Sequence, residues 1–210
     1  MYVPSCFEEP ERALVIDFIR AHPFAILVCT RSDGTLLASH IPLEVQPAAA
    51  GGEILIGHLA AANEQWRSLG GDREALAIFQ GPHSYITPRW YDHVNVPTWN
   101  YIAVHVYGIP TVTREPDALR EIVGRQVDKH EAGAAVPYRI DTLPPEYLAK
   151  ELRGIVGITI PVSRLEASFK LSQNRHARDY RNIVTELEAR PDDQSRQVAE
   201  WMKTRCPVKE

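Results

Sequence analysis

Polar and aromatic side chains are concentrated in four short segments of this chain. The first is Ser39–Pro42, and the second runs from Gly57 to Trp66. The third covers residues 81–108, and the fourth runs from Gly154 to Arg175. Their His, Asn, Gln, Thr, Trp and Tyr residues can hydrogen-bond to a planar polar ligand or stack on it. The four segments therefore indicate binding chemistry, and each lies at the end of a predicted helix or strand.

No motif of a nucleotide-dependent or hydrolytic enzyme accompanies these segments. The chain has no GxxxxGK[ST] or GxGxxG sequence, no GxSxG nucleophile motif and no HExxH zinc motif. His40, His58 and His105 share no short ligand spacing. Cys6, Cys29 and Cys206 form no CxxC pair, and Cys29 lies in an apolar run that predicts burial. We therefore predict neither a metal site nor a catalytic residue.

Hydrophobic periodicity predicts the elements that position the first segment. A helix is expected over Pro10–Arg20. A β-hairpin follows, with strands Phe24–Thr30 and Thr35–Val45 around a Ser-Asp-Gly turn. Alternation along the second strand places Ser39 and Ile41 on one face and His40 and Pro42 on the other.

The rest of the chain is predicted as short strands and helices. Strands are expected over Glu53–Gly57, Ala75–Phe79, Trp99–Val112 and Gly154–Leu171, and helices over His58–Leu69, Pro116–Lys129, Pro145–Leu152, Ala177–Ala189 and Asp193–Thr204. The strand over Gly154–Leu171 either is continuous or breaks at Pro161. Strands that are joined mainly by hairpins and short helices favour an antiparallel sheet. The predicted fold is mostly β with peripheral α-helices, in the form of a small antiparallel barrel.

The net charge and the hydropathy of the chain limit the kinds of partner that it is expected to bind. The chain has 23 Lys and Arg against 27 Asp and Glu, and its net charge is −4 over 210 residues. DNA-binding domains usually carry a basic excess because phosphate neutralisation supplies much of their affinity. We therefore do not expect direct DNA binding. No run approaches the ~20 apolar residues that cross a bilayer, and no signal-peptide pattern is present, so a cytoplasmic protein without membrane contact is predicted.

The segment sequences resemble those of the PaiB family from residue 1 to about residue 190. The resemblance is carried by Met1-Tyr2-Val3-Pro4, by the block from Phe79 to Gly108, and by Lys170-Leu171-Ser172-Gln173-Asn174-Arg175. It implies an FMN-binding split β-barrel similar to pyridoxamine-phosphate oxidases, over residues 1–175. Residues 176–210 would form a helical extension packed on the same domain. It also implies a homodimer with FMN at the dimer interface, and a role as a negative transcriptional regulator.

The resemblance also implies the positions of the flavin contacts. In related barrels the FMN phosphate lies after the strand that corresponds to Ile54–Gly57, which maps it onto His58–Asn63, where helix N-terminal amides would serve the anion. The expected cofactor-binding residues are Ser39, His40, Ile41, Pro42, His58, Asn63, Trp99, Asn100, Lys170, Gln173 and Asn174. Alternatives remain for some of them. Trp99 and Tyr101 also suit a dimer interface, and Lys170, Gln173 and Asn174 also suit the cap of a helix.

Two residues depart from the PaiB pattern at the expected phosphate site. Members of the family commonly have Arg where this chain has Ala61, and Pro where it has Glu64. A charge-assisted hydrogen bond is worth about 1.5–3 kcal/mol, which corresponds to roughly a tenfold to hundredfold change in affinity. The Glu64 carboxylate adds negative charge nearby. We therefore expect this chain to bind FMN more weakly than a chain with the family residues.

Four functions remain open at this stage. The first is a regulatory FMN-binding flavoprotein, which the resemblance implies. The second is a flavin-dependent oxidoreductase, because the cofactor carries most of the chemistry and catalytic motifs are not required. The third is a repressor that binds DNA directly, which the acidic net charge disfavours. The fourth is a haem-binding split barrel that uses a histidine ligand.

Overall fold

The structure is a computed structural model that describes residues 1–205. Cys206 and the end of the predicted helical extension lie outside the described residues. The strands are β1 (Phe24–Thr30), β2 (Leu36–Pro42), β3 (Glu44–Pro47), β4 (Glu53–Ala60), β5 (Ala75–Ile86), β6 (Thr98–Gly108), β7 (Thr111–Thr113), β8 (Ile155–Pro161) and β9 (Arg164–Lys170). The α-helices are α1 (Arg12–Ala21), α2 (Pro116–Glu131), α3 (Pro145–Leu152), α4 (Ala177–Glu188) and α5 (Asp193–Thr204).

The strands form two sheets, one of five strands in the order β2-β1-β5-β6-β9 and one of four in the order β3-β4-β8-β7. Strand β1 pairs antiparallel with β2 and β5, and β4 pairs antiparallel with β3 and β8. The predicted class, antiparallel β with peripheral helices, is confirmed. In the described chain neither strand order closes on itself. No helix within residues 1–205 has both the length and the apolar composition to cross a bilayer.

The chain forms two compact units that are interleaved in sequence. Unit 1 comprises Met1–Val15, Gln80–His105 and the residues from Glu166 onward. Unit 2 comprises Ile16–Phe79 and Val106–Leu165. The predicted extension from residue 176 is thus part of unit 1, together with most of β6 and β9.

Each unit has its own buried apolar residues. In unit 2, Leu27, Leu43 and Leu55 are fully buried. A second cluster in unit 2 lies where α2 meets α3 and contains Leu119, Ile140, Leu148 and Leu152. In unit 1, helices α4 and α5 bury Tyr180, Ile183, Leu187, Val198 and Met202. The buried apolar residues of α4 are spaced three and four positions apart, which places them on one face of the helix. Cys29 is buried as predicted.

The predicted helix over His58–Leu69 is wrong. Strand β4 continues to Ala60, which pairs with Ile155 of β8, and only a 3₁₀ helix over Glu64–Ser68 follows. Pairing along β8 satisfies the backbone of residues 58–60 and overrides their local helix preference. Strand β5 likewise continues beyond the predicted end at Phe79, through Gly81 and Pro82 to Ile86.

Three predicted strands are each divided in two, and the reason is the same for all. The chain passes from the five-stranded sheet to the other sheet between β2 and β3 and again between β6 and β7, and it returns between β8 and β9. Each division therefore marks a change of sheet. Apolar alternation continues across such a crossover, so of the three divisions the sequence indicates only the one at Pro161, where β8 ends.

Candidate functional site

Asn63 joins strand β2 to the turn that follows β4. Its Nδ2 donates to Ser39 Oγ at 2.8 Å, and its Oδ1 accepts from Gln65 N at 3.0 Å. The second bond makes Asn63 the N-cap of the 3₁₀ helix. Both ends of the side-chain amide are thereby oriented, and the structure brings the predicted residues Ser39 and Asn63 together.

Gln65 holds the same turn against β1. Its side chain is 2% exposed, and its Nε2 donates to Leu27 O at 2.8 Å. A buried amide that bonds to a strand carbonyl fixes the turn more firmly than the short 3₁₀ helix alone. Sequence reasoning missed Gln65, because in a predicted helix it resembles any polar surface residue.

The backbone amides of the turn are largely used within the protein. Ala61 N donates to Gly154 O at 2.7 Å, and Asn63 N donates to Ala60 O at 2.9 Å. The amide of Gln65 is taken by Asn63. Since no α-helix begins here, the expected set of helix N-terminal amides is not formed. An anion at this turn would depend on side chains instead.

Two guanidinium groups lie near the turn. Those of Arg67 and Arg114 lie 5.4 and 6.0 Å from the ring centroid of Trp66, whose Nε1 donates to Ala61 O at 3.0 Å. Arg67 is also within 3.6 Å of the Glu64 carboxylate. Positive charge is therefore present beside Trp66 although residue 61 is not Arg, and Arg67 offsets the charge of Glu64. Arg114 lies far away in the sequence, and no sequence signal points to it.

His58 and Pro42 lie together beneath helix α2. They line a cavity of about 280 Å³ with Val123, Gln126, Val127, His130, Glu131 and Tyr138. Burial lowers the pKa of His58 below 6.5, and a hydrogen bond with Gln126 opposes this shift. His58 Nδ1 is buried and has no hydrogen-bond partner among the described residues. The neutral imidazole is therefore the form that this cavity favours.

The other two residues of the β2 segment have different surroundings. Ile41 is 7% exposed and belongs to the core. His40 is exposed, and its ring lies 6.2 Å from that of Phe24. The segment Ser39–Pro42 is thus divided between the two faces of β2, as its alternation predicts.

In unit 1, Lys170, Asn100 and Asn174 line a cavity of about 200 Å³, together with Phe7, Thr98, Ser172 and Arg175. Lys170 Nζ donates to Thr98 Oγ1 at 2.6 Å. Burial lowers the pKa of Lys170, and the nearby charge of Arg175 lowers it further. The structure thus brings three of the five predicted residues of this unit to one cavity.

The turn after β9 is shaped by buried hydrogen bonds. Ser172 has a left-handed backbone, with φ of 62°, and its Oγ donates to Oδ1 of the fully buried Asn100 at 3.0 Å. Gln173 Oε1 accepts from Leu171 N at 2.8 Å, and its Nε2 donates to Phe169 O. A serine in this conformation costs of the order of 1 kcal/mol and commonly marks a functional turn. Gln173 therefore supports the turn, and its amide is already engaged.

Trp99 does not line this cavity and is 52% exposed. Its ring lies 5.9 Å from that of Tyr85, in an edge-on arrangement, and 6.0 Å from that of His83. Three adjacent exposed rings form an aromatic surface, which suits a protein interface.

One group within residues 1–205 has the geometry of a metal site. Ligand atoms of Asp92, His93 and Asp179 lie within 4.8 Å of one another. Asp92 Oδ2 is already 3.3 Å from Arg178, and His93 Nδ1 is 3.0 Å from Asp92 Oδ1. An ion-pair network accounts for this group, and the prediction that the chain has no metal site stays a prediction.

The chain is similar to one protein family, to a bacterial protein and to two solved structures. Residues 1–164 match the family described as "Putative FMN-binding domain". The chain is 37% identical over 203 residues to "Protease synthase and sporulation protein PAI 2" of Bacillus subtilis (strain 168), which covers 97% of each chain. The flavocytochrome Anf3 from Azotobacter vinelandii is similar in structure, with a TM-score of 0.63 and 14% identity over 83% of this chain and 75% of that one. The FAD and haem binding protein from Mycobacterium smegmatis has a TM-score of 0.58 and 16% identity over 78% and 73%.

The sheet topology and the structural likeness define a split-barrel protein, as the sequence predicts. The family match and the identity to the Bacillus protein are more specific. This chain belongs to the PaiB family of split-barrel proteins.

Proposed function

We propose that this protein is a homodimer that binds FMN at the dimer interface. The observation that carries the proposed flavin site is the Asn63 bridge, which fixes a side-chain amide between β2 and the turn after β4. This is the turn where the family resemblance locates the flavin phosphate. The family match over residues 1–164 supports the cofactor. When bound, FMN supplies one- and two-electron redox chemistry.

Several polar side chains of unit 2 suit the phosphate group of FMN. The phosphate requires cations or hydrogen-bond donors, and the Ser39 hydroxyl, the Asn63 amide and the guanidinium groups beside Trp66 are of these kinds. We propose that Ser39, Asn63, Arg67 and Arg114 form the phosphate environment. The roles predicted for His40, Ile41, Pro42 and His58 on the flavin ring, and for the residues of unit 1, stay predictions.

Asn63→Asp tests the proposed site without removing the cap. An aspartate still accepts from Gln65 N, so the turn should keep its fold, but the donor is lost and a negative charge is added. We expect FMN affinity to fall about tenfold or more, while riboflavin, which has no phosphate, changes less. Quenching of flavin fluorescence measures both affinities.

The matched control is Asn182→Asp on the exposed surface of α4, which should leave both affinities unchanged. An Asn63→Asp protein that binds FMN as tightly as wild type would contradict the proposed phosphate environment.

We propose further that any effect of this protein on transcription is indirect. The net charge of −4 gives no basic excess for phosphate contacts along DNA. A gel-shift titration at low salt with DNA from the upstream region of its own gene should show no complex at micromolar protein. A complex that weakens steeply with added salt would overturn this proposal.

A further inference from the structure

Two cations share the small cavity of unit 1, and their close partners are neutral. Lys170 Nζ bonds to the hydroxyl of Thr98 and lies 5.8 and 5.9 Å from the rings of Phe7 and Tyr101. The Arg175 guanidinium lies 4.9 Å from the ring centroid of Tyr91. In residues 1–205 neither cation has a carboxylate oxygen within 4.0 Å. Other basic side chains do have such partners, among them Arg120, Arg125 and Lys203.

Two like charges in a partly buried cavity repel each other. Burial penalises the charged lysine, and the charge of Arg175 adds to the penalty, so the pKa of Lys170 is lowered. Aromatic rings and a hydroxyl offset this repulsion only in part, because they carry no net charge. A bound anion would offset the repulsion between the two cations.

The cavity has the size and the rigidity that a small anion requires. Its volume is about 200 Å³, which exceeds that of a phosphate group. One wall is the turn at Ser172, whose left-handed backbone is held by the fully buried Asn100. Strained backbone of this kind persists where the surrounding structure enforces it, and it is frequent at ligand sites.

We infer that this cavity binds a phosphate group between Lys170 and Arg175. Lysine supplies a point charge, and arginine supplies a planar set of donors that suits phosphate oxygens. The inference does not depend on flavin binding, because inorganic phosphate alone is the probe. It assigns Lys170 and Arg175 as ligand-contacting residues, with Ser172 and Asn100 as positioning residues.

The test compares thermal unfolding in sodium phosphate with unfolding in sodium chloride of equal ionic strength. A ligand that binds only the folded state raises the Tm with its concentration. We expect phosphate to raise the Tm of wild type, and Lys170→Met and Arg175→Gln each to lose that rise. Lys170→Arg, which keeps the charge, should retain it. The exposed Lys150→Met should also retain it, as the matched control.

Isothermal titration with phosphate gives the affinity directly, and Lys170→Met should bind about tenfold or more weakly. Without phosphate, Lys170→Met should unfold at the wild-type Tm or above it, because one of two repelling charges is gone. That result separates loss of binding from loss of fold. A rise in Tm that is equal in phosphate and chloride, or that persists in both Lys170→Met and Arg175→Gln, would overturn the inference.

Competition then identifies the source of the phosphate group. If the group belongs to FMN, then FMN displaces inorganic phosphate and riboflavin does not. If it belongs to another phosphate ester, FMN-loaded protein still shows the phosphate-dependent rise in Tm. Both outcomes require the site. The first would contradict the phosphate environment proposed at the Asn63 turn, because FMN has a single phosphate, whereas the second leaves FMN binding at that turn untouched.

Discussion

At the scale of single residues, Ala61 is the departure from the family pattern that most affects the expected affinity. Its methyl group supplies no charge, and its backbone N–H already donates to Gly154. The guanidinium groups of Arg67 and Arg114 lie near the ring of Trp66, and we expect them to offset part of the missing charge. The turn therefore has positive charge nearby that the residue type at position 61 does not show.

Ala61→Arg should strengthen FMN binding. The new guanidinium would add a charge-assisted bond to the phosphate, worth about 1.5–3 kcal/mol, which is roughly a tenfold to hundredfold gain in affinity. Fluorescence titration with FMN and with riboflavin measures the gain, which should be confined to FMN.

Ala62→Arg is the matched control, because it adds the same charge one residue away at an exposed position. An equal gain in both variants would mean that general charge attraction is responsible, and no gain in Ala61→Arg would show that the phosphate does not lie at this turn.

At the scale of elements, the packing of α2 over β4 couples stability to the protonation of His58. Its pKa is lowered below 6.5 by burial, so the folded protein resists protonating it while the unfolded chain does not. Well above pH 6.5 the imidazole is neutral in both states and contributes no pH dependence. As the pH falls below 6.5, the unfolded chain binds the proton first, and the free energy of unfolding decreases.

His58→Gln should make that decrease shallower without abolishing it. Burial also lowers the pKa values of His22 and His105, so part of the slope remains. Urea unfolding at pH values above and below 6.5 measures the slope. A variant with the full wild-type slope would show that His58 does not contribute.

Gly57 lets strand β4 approach the end of β2 closely. A Cβ at this position would lie 2.7 Å from Pro42 O and 2.8 Å from Leu43 Cδ2. Because the first of these atoms belongs to the backbone, Gly57→Ala must displace a strand and should destabilise the fold by about 1–3 kcal/mol. Urea unfolding measures the loss.

Gly133→Ala is the matched control, since a Cβ there meets nothing within 4 Å. Equal stability of the Gly57→Ala and wild-type proteins would contradict the close approach.

The bounds of several helices and strands can be predicted from the sequence, and others cannot. Short-range signals predicted α3, α5 and β1 with the bounds that the structure has. The helix over residues 58–69 was wrong because its outcome depended on pairing with β8, nearly a hundred residues later. The divisions of the strands over Thr35–Val45 and Trp99–Val112 were missed for the same reason, since a change of sheet is a tertiary event, whereas Pro161 marked the end of β8.

The candidate site shows the same limit. Residue types pointed to Ser39 and Asn63, but only the fold shows that they share a hydrogen bond. Arg114 and Gln65 carried no signal, because their importance lies in contacts with Trp66 and Leu27 that are distant in sequence. Lys170 and Arg175 were close in sequence, and their shared cavity follows from the strained turn between them.

At the scale of the whole molecule, the exposed aromatic surface of Trp99, Tyr85 and His83 is the feature that suits a homodimer. Sedimentation velocity should show a dimer for wild type. Trp99→Glu should shift the protein toward monomer, because a charge would be buried at the interface. Tyr147→Glu, at a comparably exposed position on α3, is the matched control and should remain dimeric. A monomeric wild type would contradict the proposed assembly.

Binding of FMN by this split barrel is measured by titrating flavin-free protein with FMN and following the absorption spectrum. We expect a saturable change in the flavin bands, with FMN bound more tightly than riboflavin because of the phosphate. A spectrum that does not change at saturating FMN, or one that develops only with haem, would contradict it.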